Sequence, residues 1–366
     1  MRVGIAGTGP VGLGCAALLD ASGHKPVLWP PRGAPDAGST RMIETVGLFS
    51  HRCAVPVAAD VAAMAGMDVI IVCVRSNGHR AVFEALAPVL RNGQTVIIAS
   101  HASLGALYLS RLIAELGLDV PVVAWATTLT GGPLIEGRVH VRLLRGELDV
   151  ATLPAGRIDH GLALSRALFQ PAFRPSRNML SIALSNLNPP IHMANAVLNF
   201  TRIEKGEVWA NYGCITEGVG RLIEALDGER LAIAAAFGVT VRSAREHYIK
   251  SFPDLVPGSV ADLSAQVDRQ RKGTSPGPAS PDTRYVTEDL PFGIHPVSQL
   301  GQLAERPTPL HKAGLVLLGA VYGRDFAAEN DLLPKVGLAR MDRSMLLDIV
   351  ETGWTGQNLS RFNAAR

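Results

Sequence analysis

Two short stretches hold the residue types that could move a proton and grip an anion. The first is SNLNPPIHMANAVLNF, with Asn188 as the expected helix N-cap, Pro189 and Pro190 in the first turn, and His192 just inside. The positive end of a helix disfavours an imidazolium. His192 would then work as a neutral imidazole, or as a proton shuttle if a carboxylate offsets the dipole. The second stretch is RYVTED, Arg284 to Asp289, which follows the broken loop SPGPASPDT. Asp289 or Glu288 could orient and charge the imidazole. Arg284 could fork onto a substrate carboxylate through paired N–H bonds. In an extended chain Arg284 and Asp289 would lie on opposite faces, so a turn must intervene. Pro291 and Gly293 fit such a turn, and TEDLP could open a helix capped by Thr287. Each group also has a plainer role: His192 as a core hydrogen-bonder, RYVTED as a surface ion pair, and Glu288 as a first-turn helix acid.

At the other end of the chain, GTGPVG places Gly7, Gly9 and Gly12 in GxGxxG spacing, with Thr8, Pro10 and Val11 between them. The motif follows a strand-like run and opens a helical one, which is the context it needs. Gly7 permits the tight turn, Gly9 lets the backbone approach a pyrophosphate, and Gly12 allows helix and sheet to pack closely. The helix N-terminus adds unpaired N–H groups. The second strand, KPVLW, ends in PPRG and carries no Asp or Glu for the ribose hydroxyls. Arg32 stands there instead, and a guanidinium suits a 2′-phosphate. NADP(H) is therefore favoured, with NAD(H) as the alternative. Arg75 and Ser76, closing CVRS, are candidates to line the ribose and phosphates.

The elements that must position these groups fall into two textures. Up to about residue 176, strand-like runs VGIAG, PVLW, DVIIVCV, TVIIAS and PVVAWA alternate with helical stretches. Continuous apolar runs fit strands covered on both faces, and the alternation fits a parallel, doubly wound sheet. RVHVRLL and ELDVATL are expected as an antiparallel edge. From Asn178 onward the apolar residues recur at three and four, with Pro and Gly at the segment ends, which predicts helices. The expected architecture is α/β: a Rossmann-type doubly wound sheet over 1–176, then an all-α substrate and catalytic domain over 177–366. Substrate is expected between them. The stretch from Lys272 to Thr283 reads as a loop and a candidate lid.

Composition narrows the function. Apolar residues make up 47% and charged residues 18%, which describes a globular chain. A net charge of +3, with dispersed basic residues and 5% aromatics, argues against nucleic-acid binding. No leader and no membrane span is seen, and Cys15, Cys53, Cys73 and Cys214 have no CxxC spacing. The expectation is a cytoplasmic protein with reduced cysteines and no metal, a monomer or a homodimer.

These stretches together resemble the opine dehydrogenase family, of the octopine/nopaline dehydrogenase group. Three anchors carry the likeness in order: GTGPVG, NPPIH with its following helix, and TRYVTEDLPFGIHPVSQLGQLAERPTPLHKAGLVLLGAVYGRDF. The resemblance implies NAD(P)H-dependent condensation of an amino acid with a 2-oxo acid, through an imine, to a secondary amine dicarboxylate. It implies that His192 is the catalytic histidine, Asp289 its partner and Arg284 the carboxylate-handling arginine. It places Asn188 and Thr128, in WATTLT, near substrate. The chain departs from the family in TLTGGP, which lacks a cysteine that some members carry beside that threonine. It departs again in an aromatic-poor second domain, where Trp209, Tyr212, Tyr248 and Phe252 are the candidates for a substrate wall. A keto-acid reductase of the ketopantoate reductase or 3-hydroxyacid dehydrogenase kind is the main alternative. Those enzymes rely on a lysine, and Lys205 in IEKGE reads as solvated. A non-catalytic NADP(H)-binding sensor is a further alternative.

Overall fold

The computed structural model describes residues 1–170 and 172–365. It forms two compact units: Met1–Ala183 with Leu332–Arg366, and Leu184–Asp331.

The first unit is built on strands β1 (Arg2–Ala6), β2 (Lys25–Trp29), β3 (Thr40–Gly47), β4 (His51–Pro56), β5 (Val69–Val72), β6 (Thr95–Ile98), β7 (Val122–Trp125), β8 (Thr130–Gly131), β9 (Leu134–Ile135), β10 (Arg138–Val141), β11 (Leu143–Leu144), β12 (Glu147–Leu153) and β13 (Ala172–Pro175). The main sheet runs β2-β1-β5-β6-β7-β12-β13. The first five strands of that order are parallel. They are the five apolar runs read from the sequence, and β5, β6 and β7 are buried at every residue. Helices α1 (Pro10–Ala21), α2 (His79–Leu86), α3 (Gly105–Glu115) and α4 (Ile158–Leu168) complete the βα alternation. This is a doubly wound sheet of Rossmann type.

The predicted antiparallel edge is half present. ELDVATL forms β12, antiparallel to β7, but β13 lies outside it. RVHVRLL splits into β10 and β11. β10 joins the small sheet β4-β3-β10-β9, and β11 pairs with β8. The strands β3 and β4 alternate buried and exposed residues, as a sheet with one solvated face does.

The second unit contains α6 (Asn188–Leu198), α7 (Phe200–Glu204), α8 (Glu217–Ala236), α9 (Ala244–Ser251), α10 (Val260–Gln270), α11 (Arg284–Thr287), α12 (His295–Leu303) and α13 (Pro309–Tyr322). Helix α5 (Met179–Ser185) runs across the division, and no strand lies in the second unit among the described residues. Its core gathers residues such as Met193, Ile223, Leu263, Leu290 and Leu318. Inside α8, Arg230 is fully buried and bonds Asp227 Oδ1 at 2.6 Å. Asp227 Oδ2 in turn accepts from Ala244 N at 2.7 Å, so a satisfied buried ion pair ties α8 to the start of α9.

One sequence boundary changes. The helices α14 (Leu333–Val336), α15 (Arg343–Thr352) and α16 (Gly356–Ala364) belong to the first unit, not to a continuous helical domain over 177–366. Trp354 Nε1 donates to Leu107 O at 2.8 Å, and Arg111 Nη2 donates to Lys335 O at 2.9 Å. The Arg111 guanidinium also lies 4.8 Å from the Phe362 ring centroid. These contacts fasten the C-terminal segment onto α3. Helical periodicity cannot reveal which core a helix joins.

Two buried histidines follow the parallel strands. His79 opens α2 after β5 and is 1% exposed; His101 follows β6 and is 3% exposed. Burial pushes His79 down to about 4, against a backbone bond to Val74. Burial, then the neighbouring His79, pushes His101 down to about 3. Both are held neutral in the fold, whereas the unfolded chain protonates them near 6.5. Their folded values are depressed, so their stability contribution is present above about pH 6.5 and is lost as pH falls toward 4. Urea titrations at several pH values should show unfolding free energy falling on acidification, by up to about 1.4 kcal/mol per pH unit for each histidine. His101→Gln should flatten this slope; an unchanged slope would remove His101 from the account.

Candidate active site

In the first unit, β1 runs into the glycine turn and α1 leaves it. Gly7 has φ +127°, and a Cβ there would lie 2.5 Å from Cys73 O. A Cβ on Gly12 would lie 2.2 Å from Gly7 O. A Cβ on Gly9 would meet nothing within 4 Å. Gly7 and Gly12 are thus needed to close the turn, and Gly9 leaves its outer surface clear. Gly9 is also the N-cap of α1 and supplies no side-chain cap, so the first-turn N–H groups are not spent on one. Thr8, Pro10 and Val11 are half-buried around this turn. This surface fits a pyrophosphate.

Arg32 lies just beyond β2 and is exposed, with no ion pair among the described residues. The next acid, Asp36, accepts from Arg41 Nε at 2.6 Å and from its Nη2 at 2.5 Å. Those hydrogen bonds hold the Asp36 carboxyl below its usual range. Arg75 is exposed and Ser76 half-buried, at the turn that follows β5. Thr128 follows β7, and its carbonyl accepts from Arg145 Nε at 3.2 Å. Arg145 was not read from the sequence. Burial lowers its pKa, and no carboxylate pairs with it among the described residues. Its surrounding LLRGE gives no signal.

In the second unit, α6 presents His192. Asn188 is the first residue of that helix and not its cap; Leu187 is the cap, and Asn188 N donates to Asn186 Oδ1 at 3.1 Å. His192 Nδ1 lies 2.6 Å from Asp289 Oδ2. The two side chains are 15% and 10% exposed. Of the two acids the sequence left open, Asp289 is therefore the one that meets the imidazole. Glu288 is half-buried.

The intervening turn is helical. Thr283, not Thr287, caps α11, and its Oγ1 accepts from Tyr285 N at 3.3 Å. A π-helical turn over Leu290–Ile294 follows Asp289. There a Cβ on Gly293 would lie 2.3 Å from Pro189 Cγ, so only glycine lets this turn close on the start of α6. Asn330 Nδ2 donates to Pro291 O at 2.6 Å and fixes the same turn.

Tyr285 is the neighbour that sequence reasoning missed. Its ring stacks on His192, with centroids 3.6 Å apart and planes 6° from parallel. Burial, first of all, pushes its hydroxyl up to about 12, while a bond to Asn211 works the other way. Asn211 Oδ1 accepts from Asn195 Nδ2 at 3.0 Å, which links Tyr285 back to α6. The signal was present: Tyr285 sits beside Arg284 in RYVTED. Arg284 itself is exposed, with no ion pair among the described residues.

Other expectations change. Tyr212, Tyr248 and Phe252 form one ring cluster, but Tyr248 is 2% exposed and belongs to the core. The 272–283 segment has no helix or strand, yet it is stitched down. Trp209 Nε1 donates to Pro278 O at 3.0 Å, and Tyr322 Oη donates to Pro281 O at 2.9 Å. Those bonds argue for a fixed strap and against a lid. Lys205 is exposed at the end of α7. Among the described residues, no helix is long and apolar enough to cross a membrane.

A Rossmann unit with an open glycine turn, joined to a helical unit bearing a His–Asp pair, defines a nicotinamide-dependent dehydrogenase. A family model described as NAD/NADP octopine/nopaline dehydrogenase, alpha-helical domain, matches residues 175–322. A ketopantoate reductase PanE/ApbA model matches residues 3–153. The opine dehydrogenase of Arthrobacter sp. (strain 1C) is 31% identical over 287 residues, 78% of this chain and 79% of that protein. A structure of octopine dehydrogenase with NADH and L-arginine aligns with TM-score 0.79 at 16% identity, covering 97% of this chain and 98% of the other. A PanE/ApbA-family ketopantoate reductase from Ralstonia eutropha JMP134 aligns at 0.58 and 20% identity, covering 92% and 100%. The chain belongs to the opine dehydrogenase family and is an NAD(P)-dependent oxidoreductase acting on CH–NH.

The glycine turn yields a contrast to measure. Gly12→Ala should destabilise the fold by more than about 1 kcal/mol, because backbone must move. Gly9→Ala should keep the melting temperature and weaken NAD(P)H binding, read by nicotinamide fluorescence. Equal loss of stability in both would contradict this division of labour.

Proposed function

We propose that the chain joins the amine of an amino acid to the carbonyl of a 2-oxo acid and reduces the product to a secondary amine dicarboxylate, with NADPH preferred. The observation that carries the chemistry is the His192–Asp289 bond, closed at 2.6 Å beneath the Tyr285 ring. With Nδ1 committed to a carboxylate, His192 Nε2 is the nitrogen that takes or gives a proton at the reacting carbon's oxygen or nitrogen. Asp289 fixes the tautomer and offsets the charge when the ring is protonated. Loss of water from the amine and oxo acid gives an imine. The reduced nicotinamide, when bound, supplies a hydride to the imine carbon. Arg284, free of an internal carboxylate, receives a substrate carboxylate. Arg145, whose Nε donates to Thr128 O, offers an anion a second guanidinium of the first unit besides Arg32. Solved octopine dehydrogenases hold L-arginine, agmatine or pyruvate in their structures. For this chain the class is an amino acid and a 2-oxo acid.

NADPH preference rests on Arg32, exposed and unpaired, while Asp36 is held by Arg41. Arg32→Ala should raise KM for NADPH roughly tenfold, the scale of one lost charge-assisted contact, and leave KM for NADH nearly unchanged. Equal effects on both cofactors would remove Arg32 from the 2′-phosphate.

The reaction is tested by NADPH oxidation across a matrix of 2-oxo acids and amino acids. Turnover should require both partners. Oxidation with a 2-oxo acid alone would favour the ketopantoate-reductase type of reaction, which the first unit's family match brings to mind. On the productive pair, His192→Ala should keep NADPH binding while kcat drops about 100-fold or more. Undiminished turnover would refute the role given to His192.

A further inference from the structure

At the far end of α1 from the glycine turn, three metal-binding side chains converge. Asp20 lies in the last turn of α1, and His51 and Cys53 lie two apart on β4, hence on one face of that strand. One donor atom from each residue, a carboxylate oxygen, a ring nitrogen and Sγ, lies within 4.8 Å of the other two. His51 Nε2 is 2.8 Å from Asp20 Oδ2. Thr45 Oγ1 accepts from His51 N at 2.9 Å and fixes the main chain there. The His51 and Asp20 side chains are 28% and 36% exposed, whereas Cys53 is buried. An ion could therefore reach the cluster from solvent and find a thiol behind it.

We propose that Asp20, His51 and Cys53 bind one Zn²⁺ ion, which fastens α1 to the small sheet. Thiolate and imidazole donors together select zinc over magnesium or calcium. Zinc bonds of about 2.0–2.3 Å place tetrahedral donors about 3.5 Å apart, so closure asks for side-chain shifts of about 1 Å. On binding, the Cys53 S–H loses its proton to solvent and the sulfur lone pair bonds the metal. His51 moves its ring proton to Nδ1, freeing Nε2. The two anionic ligands balance the two charges of the ion, and water completes the fourth position. Burial, then the Asp20 charge, pushes the Cys53 thiol up to about 11, so the metal-free cluster holds a neutral thiol. Asp20 stands eleven residues beyond Gly9, about 16 Å along the helix, so the ion would hold structure and take no part in hydride transfer. This site stands or falls independently of the proposed reaction.

The test uses the full chain, stripped with a chelator and dialysed. Zinc is titrated against an indicator dye of micromolar affinity, and cobalt(II) is titrated by absorbance. Wild type should take up one zinc per chain, show a thiolate-to-cobalt charge-transfer band, and gain melting temperature. Cys53→Ser should lose the band and bind zinc at least tenfold more weakly. His51→Gln, at a half-exposed position, should also bind at least tenfold more weakly and serves as the variant if Cys53→Ser fails to fold. No stoichiometric uptake, or uptake unchanged in the folded variants, would overturn the proposal.

Discussion

The bond between His192 and Asp289 joins residues 97 positions apart, and the second unit is arranged so that it can form. A carboxylate as buried as Asp289 is costly without a partner, and the imidazole supplies one. A 2.6 Å separation tolerates little drift. The start of α6 and the turn after α11 must therefore be held in register. Gly293 against Pro189 does this from one side, and Asn330 on Pro291 from another. Tyr285 closes the third side, stacked on the ring and tied back to α6 through Asn211 and Asn195. The π-helical turn is part of the same arrangement, since it re-aims the chain between Asp289 and α12.

Behind this site, α8 acts as the scaffold. Its Arg230–Asp227 pair bonds the start of α9, as above. One residue earlier, Glu229 accepts from Leu310 N at 2.8 Å and His311 N at 3.2 Å, and so caps α13 from another helix. Such long-range caps spend charged groups on main-chain donors that a helix start leaves unpaired. They add to the start signal of α13's own sequence, Thr308 as cap with Pro309 in the first turn.

What the sequence made legible follows from what is local. Apolar runs with β-branched residues named all five parallel strands, because burial on both faces leaves a continuous signal. GTGPVG was legible because its glycines keep a fixed spacing: Gly12 must clear Gly7 within the turn itself, although Gly7 must also clear the distant Cys73. His192 and Asp289 came from the types of residue near proline-marked helix starts, and family resemblance chose between Asp289 and Glu288. What stayed hidden was tertiary. The stack of Tyr285, the strap held by Trp209 and Tyr322, and the return of α14–α16 to the first unit depend on partners more than forty residues away. The caps at Leu187 and Thr283 were missed for a smaller reason: Leu187 is not a residue type that signals a cap, and Thr283 and Thr287 both offer a capping hydroxyl one helical turn apart.

Among the described residues His51, His192 and His311 each lie beside a carboxylate, and they show why that geometry alone does not define a site. His311 Nδ1 also lies 2.6 Å from its acid, Glu229 Oε2. Yet its side chain is wholly buried, and Nε2 meets no hydrogen-bond partner among the described residues. Glu229 is already engaged by two main-chain donors, so this pair is a structural joint sealed from any substrate. His51 and Asp20 are the reverse case, half-exposed at 2.8 Å with a thiol close by, which is ligand chemistry and not a proton relay. His192 lies between these extremes. Its acid is buried and, among the hydrogen bonds described, serves the imidazole alone. The ring keeps a partly exposed edge, an aromatic floor sets its plane, and the adjacent Arg284 is without an internal counter-ion. Of the three pairs, only this one combines a buried acid and a partly exposed ring with an exposed arginine next to the stacked Tyr285, and the proposed reaction needs all of them together.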